Sequence, residues 1–78
     1  MTNYKQLTDK NWAKIQDAFE NTDGGYEFSI NDTEFMLDIT YSGRCLLWAE
    51  GAMIAYSSDG TDDLRYYIEN YSEMCNAT

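Results

Sequence analysis

Histidine and proline are absent from this chain, and lysine and arginine together number five against fourteen aspartates and glutamates. No apolar run approaches the ~18 residues that a membrane-spanning helix needs. Each shortage excludes something. Without histidine there is no Ser-His-Asp triad, no Cys-His nucleophile pair and no histidine-ligated metal. With so few bases the chain has no phosphate-neutralising surface, so direct nucleic-acid binding is not expected. Cys45 and Cys75 lack the short spacing of a metal or redox motif. In a reducing compartment they read as two free thiols; a disulfide would require their Cβ atoms to face each other.

What remains fits one small domain, residues 1–78, with a formal net charge of −9. A chain this acidic invites a disordered reading. Two Trp, three Phe and seven Tyr in a 44 % apolar composition argue for a packed core instead. The first residues, Met1 to Gln6, carry no apolar signal-peptide stretch, so a cytoplasmic protein is expected.

Residues 8–22 read as a helix. Thr8 is the N-cap, Leu7 and Trp12 sit at the two positions of a hydrophobic staple, and Gly24-Gly25 supply the stop. Trp12, Ile15 and Phe19 form its apolar face. Four runs of strand character follow. Tyr26, Phe28 and Ile30 alternate with polar neighbours, as do Phe35, Leu37, Ile39 and Tyr41; Arg44–Ala49 and Ala52–Tyr56 are more uniformly apolar. Asn31-Asp32, Ser42-Gly43 and Glu50-Gly51 separate them as turns. Two-residue turns at the first two links pair Phe28 with Phe35, Tyr26 with Leu37, Ile39 with Leu46 and Leu37 with Trp48 on one face. For the last hairpin a two-residue loop buries Met53 and Ala55, whereas a three-residue loop with a bulge buries Ile54 and Tyr56. The latter buries more and is preferred.

Residues 62–75 read as a second helix, capped by Thr61 with Asp62 and Asp63 in its first turn. Leu64, Tyr67, Ile68, Tyr71 and Cys75 make its apolar stripe, and Asn76 to Thr78 are expected to fray. The expected fold is α+β. An N-terminal helix, a four-stranded antiparallel meander and a C-terminal helix form two layers, with both helices on one sheet face.

The charge is uneven. Residues 1–14 hold three lysines against Asp9, a surplus of +2, and residues 15–78 hold thirteen carboxylates against Arg44 and Arg65, a deficit of −11. In the first helix the lysines lie toward the N-terminus and Asp17 and Glu20 toward the C-terminus, the reverse of what the helix dipole favours. On the second helix Asp62, Asp63, Glu69 and Glu73 lie off the apolar stripe beside Tyr66, with Arg65 able to neutralise Asp62 or Glu69. On the open sheet face Glu27, Glu34 and Asp38 project beside Met36, Cys45 and Leu47. Each cluster is either an ordinary solvated face or a surface placed for a partner. Tyr66 and Tyr4 are candidate contact residues, whereas Tyr67 and Tyr71 read as core.

Catalytic and metal motifs fail on inspection. A calcium loop with Gly24 at its central turn would need acids at Phe19 and Ile30, and one built on Gly60 would need them at Ala55 and Tyr66. Gly24-Gly25 is followed by no phosphate-loop lysine, and Ser57-Ser58 has no base partner. No enzyme activity, cofactor or metal is expected. The expected partner is strongly basic, because a rigid array of carboxylates engages the Lys and Arg side chains that normally hold phosphates.

Length, acidity and element order together resemble the small phage-encoded anti-CRISPR and anti-restriction proteins, several of which are DNA mimics. No motif carries the resemblance and no residue role transfers. It implies a non-enzymatic inhibitor that binds a basic nucleic-acid-binding protein or ribonucleoprotein complex in the host cytoplasm, as a monomer, and blocks target DNA. The partner-binding candidates are Asp62, Asp63, Tyr66, Glu69, Glu73, Glu27, Glu34, Asp38, Asp17 and Glu20. Two alternatives stay open: an immunity or antitoxin protein that neutralises a nuclease, and a homodimeric interaction module closed through Met36, Cys45 and Leu47.

Overall fold

A computed structural model describes residues 2–76, with side chains as far as Tyr71; the side chains of Glu73 and Cys75, and residues Ala77 and Thr78 of the end expected to fray, lie outside the described residues, while Asn76 is helical. The elements in order are β1 (Thr2–Tyr4), α1 (Asp9–Glu20), β2 (Tyr26–Ile30), β3 (Thr33–Ile39), β4 (Cys45–Ala49), β5 (Ala52–Ser57) and α2 (Leu64–Asn76). The fold is α+β, with a five-stranded sheet in the order β1-β2-β3-β4-β5. Strands β2 to β5 form the expected antiparallel meander. Beside it, β1 pairs in parallel with β2, placing Asn3 opposite Ser29, so the sheet is mixed. Three residues with no apolar alternation gave no strand signal. What holds them is ladder pairing, the Asn31 N–H donated to the Tyr4 carbonyl at 2.7 Å, and the Ser29 hydroxyl donated to Asn3 Oδ1 at 2.6 Å.

Helix α1 starts as its cap requires. Thr8 Oγ1 accepts from the Asn11 N–H at 3.1 Å, and Leu7 packs against the core to which Trp12 belongs. The helix stops earlier than the glycines implied, at the Asn21 cap, where the Asn21 N–H and side-chain amide both reach the Asp17 carbonyl.

Turn chemistry fixes the register. Asn31 and Asp32 both take positive φ, 50° and 68°, the two-residue hairpin geometry that matches strand twist. Phe28 therefore pairs with Phe35 and Tyr26 with Leu37, as expected. The next link is different. Thr40 N–H donates to the Arg44 carbonyl at 2.8 Å, leaving a three-residue loop, Tyr41-Ser42-Gly43, that closes with Gly43 at φ 88°. The extra residue inverts β4: Leu37 pairs with Leu47 and Ile39 with Cys45, not with Trp48 and Leu46. Cys45 and Leu47 are therefore core residues, and the homodimer surface through Met36, Cys45 and Leu47 does not exist as drawn. Tyr41 falls in the loop, fully exposed, and Ile39 is half-exposed at the strand end.

The last hairpin has the two-residue loop and the buried Ala55 of one alternative and the bulge of the other. Glu50 and Gly51 form a two-residue turn, and a bulge then shifts the register between Leu47 and Trp48. Ala55 and Ser57 face inward, Ile54 is half-buried at the bulge, and Tyr56 is 58 % exposed. The preferred burial of Tyr56 is thereby corrected.

Both helices cover one face of the sheet. Trp12, Ile15 and Phe19 of α1 and Leu64 and Ile68 of α2 join Phe28, Phe35, Leu37 and Leu47 in a single core. The rings of Tyr26, Phe28 and Phe35 stack in sequence at 5.7 Å, and Tyr71 meets Phe35 edge-on at 5.6 Å. Helix α2 begins at Leu64, later than expected. Thr61 does not act as a side-chain cap: its hydroxyl and Asp62 Oδ1 accept from Gln16 Nε2 at 3.0 and 2.9 Å, tying the approach to α2 onto α1. Asp62 and Asp63 therefore precede the helix. Tyr67 is 39 % exposed rather than core. Among the described residues no helix is long and apolar enough to cross a membrane.

Candidate functional site

The inverted β4 determines what the open sheet face presents. Leu46 and Trp48 point away from the helices, and cross-strand rows read Glu27–Met36–Trp48–Met53 and Asp38–Leu46–Tyr56. The Arg44 guanidinium lies 5.1 Å from the Tyr56 ring centroid, a cation–π distance. This face is more apolar than expected, because Trp48 and Leu46 replace Cys45 and Leu47.

A cleft of about 200 Å³ opens beside the first row, lined by Glu27, Glu34, Met36, Trp48 and Glu50. Backbone pairing shapes it. The Glu50 N–H donates to the Glu34 carbonyl at 2.9 Å, drawing the β4–β5 turn against β3. At Gly25 a side chain would meet Met36 Sδ at 3.1 Å, so glycine leaves room for Met36. Trp48 Nε1 is shielded from solvent with no hydrogen-bond partner among the described residues.

Of the expected contact residues, Glu27 and Glu34 come together at this cleft, exposed. Asp38 shares the face but is half-buried, with Oδ1 accepting from the Ile39 N–H at 2.8 Å. Asp17 and Glu20 are exposed on α1. Asp62 is held by Gln16, and Asp63 is exposed. Glu69 is bound by Arg65 at 2.6 Å, and Arg65 also reaches Asp9 at 2.7 Å rather than Asp62. Tyr66 is 62 % exposed and meets Tyr67 edge-on at 5.5 Å. Tyr4, a candidate contact, is half-buried against the core instead. The helix-side carboxylates and the open-face carboxylates thus occupy opposite layers.

Glu50, Trp48, Leu46 and Tyr56 were not foreseen on this face, whereas the preferred hairpin already left Met53 outside the core. The available signal was Gly43, which fits the last position of a three-residue loop as well as the second position of a two-residue turn.

Ionisation follows burial and pairing. Tyr4 is pushed up to about 12 by burial first and then by its hydrogen bond with Tyr26. Burial raises the Cys45 thiol, which is free and enclosed. Arg65 is raised by its hydrogen bonds to Asp9 and then Glu69. Among the described residues no three His, Cys, Asp or Glu side chains stand close enough to hold a metal ion. What the site offers chemically is a set of ionised acceptors around an aromatic and thioether floor, an arrangement suited to cations.

No protein-family model matches the chain, and comparisons with curated proteins and with solved structures return no match.

Proposed function

We propose that this protein is a non-enzymatic inhibitor that occupies a basic, nucleic-acid-binding surface of a host defence nuclease or CRISPR effector and keeps target DNA off it. One observation supports this reading most. Among the described residues the ion pairs are those of Arg65 with Asp9 and Glu69, while Asp17, Glu20, Glu27, Glu34, Glu50 and Asp63 stand exposed without a basic side chain. No ion pair among the described residues uses these charges. Mutual repulsion among them works against the compact state, whereas in front of a Lys- and Arg-lined groove they speed encounter and replace phosphates.

The test is displacement of labelled target DNA from purified CRISPR effector complexes and restriction nucleases, read at about 50 and 200 mM salt. The expected result is loss of DNA from at least one of them, with affinity for the protein falling steeply as salt rises. If none releases DNA at either salt concentration, the inhibitor reading fails. Binding that leaves the DNA in place would replace mimicry with conformational inhibition.

A further inference from the structure

On the open face Met36, Leu46, Trp48, Met53 and Tyr56 share one side of the sheet with Glu27, Glu34 and Asp38, and Glu50 closes its edge. We propose that this face docks an arginine-bearing segment of the partner, with one guanidinium seated in the cleft against Glu34 and Glu50 over the Trp48 indole. The inference rests on the reading above that the partner is a basic protein, and adds which face holds it and through which side chain.

Size narrows the occupant first. At about 200 Å³ the cleft is smaller than the ~300–1,000 Å³ of a small-molecule or cofactor pocket. It suits a single side chain delivered by a larger surface. Charge narrows it further. A second copy of this chain would set Glu27, Glu34, Asp38 and Glu50 against the same carboxylates, and nucleic acid would be repelled. The base nearest to hand, Arg44, already lies over Tyr56. Geometry then separates the two cationic side chains. A guanidinium is flat, stacks on an indole face and presents a fork of donors to carboxylates, whereas an ammonium is a strongly hydrated point charge. The apolar floor of Met36 and Trp48 favours the less hydrated group.

The experiment titrates the full-length ¹⁵N-labelled protein with octa-arginine and, separately, octa-lysine peptide at low salt. The Trp48 indole N–H and the Glu34 and Glu50 amides are expected to shift before those of Asp17, Glu20 and Asp63, and octa-arginine is expected to bind more tightly. The double variant E34Q/E50Q is expected to weaken octa-arginine about tenfold, and D17N/E20N, which removes equal charge, by less than about threefold. Shifts that map to the helices, equal losses from both double variants, equal affinity for the two peptides, or a dimer that buries this face would each overturn the proposal. Because the mapping uses the unaltered chain, it does not depend on any variant folding. If E34Q/E50Q still displaces DNA from its target at full strength, this docking face is wrong and the inhibitor reading stands. If the cleft takes octa-arginine but the protein displaces no DNA, the inhibitor reading falls and the cleft remains a site for a different basic partner.

Discussion

Leu37 and Leu47 stand opposite each other on β3 and β4, and each is 0 % exposed. Their contact sets the side of β4 that belongs to the core. Truncation of Leu47 removes a fully buried side chain and leaves a cavity, so Leu47→Ala is expected to cost about 2–5 kcal/mol. Leu46, one residue earlier, faces outward beside Tyr56 and is half-buried. Leu46→Ala is expected to cost less than about 1 kcal/mol. Urea midpoints of the two variants check the register, and the reverse order would mean that Leu46, not Leu47, faces the core.

The same inversion depends on Gly43. Its φ of 88° lies in the left-handed region, and a Cβ there would meet nothing within 4 Å. The effect of a side chain is therefore backbone strain alone. Gly43→Ala is expected to lower stability by roughly 1–2 kcal/mol, and Gly43→Asn by less, because asparagine tolerates this conformation. Thermal unfolding of the pair separates strain from a packing defect, which would penalise the larger asparagine more.

Periodicity carried much of this fold. The α1 stripe of Trp12, Ile15 and Phe19 and the Asn31-Asp32 hairpin follow from apolar spacing and turn residues, and the structure has both. Three features were not legible. Strand β1 is stabilised by pairing with residues far along the chain rather than by its own pattern. The Tyr41–Gly43 loop differs from a two-residue turn by one residue, and a one-residue change moves every following side chain to the other face. The start of α2 is displaced because Gln16 binds Thr61 and Asp62, a tertiary contact that local capping rules do not contain. The outward placement of Glu27 and Glu34 at the candidate cleft was legible, because their strands precede the unforeseen loop. Trp48 and Glu50 follow it.

Gln16 also makes a local prediction. Its amide bonds both Thr61 Oγ1 and Asp62 Oδ1, and the Thr61 carbonyl in turn accepts from the Leu64 N–H at 3.0 Å. Gln16→Ala is expected to cost about 1 kcal/mol overall and to speed amide exchange at Leu64 more than at Ile68. Uniformly faster exchange along α2 would indicate that the whole helix had loosened, rather than its approach.

Alkaline pH probes the β1–β2 pairing through Tyr4. The ordinary tyrosine value is 10.0, and the folded chain raises Tyr4 to about 12 through burial and its hydrogen bond with Tyr26. Below pH 10 the folded and unfolded chains both keep the proton, and the stabilisation is fully present. Between about pH 10 and 12 the unfolded chain ionises first, so stability falls as pH rises and the contribution is lost by the folded value. Cys45, also raised by burial, acts in the same direction from its ordinary value of 9.0 upward. Tyr4→Phe removes the tyrosine contribution and leaves that of Cys45. Urea unfolding at stepped pH is therefore expected to show a shallower decline above pH 10 for Tyr4→Phe than for the unaltered chain. Parallel declines would mean that the Tyr4 hydroxyl is solvated in the folded protein and that β1 does not hold it against Tyr26.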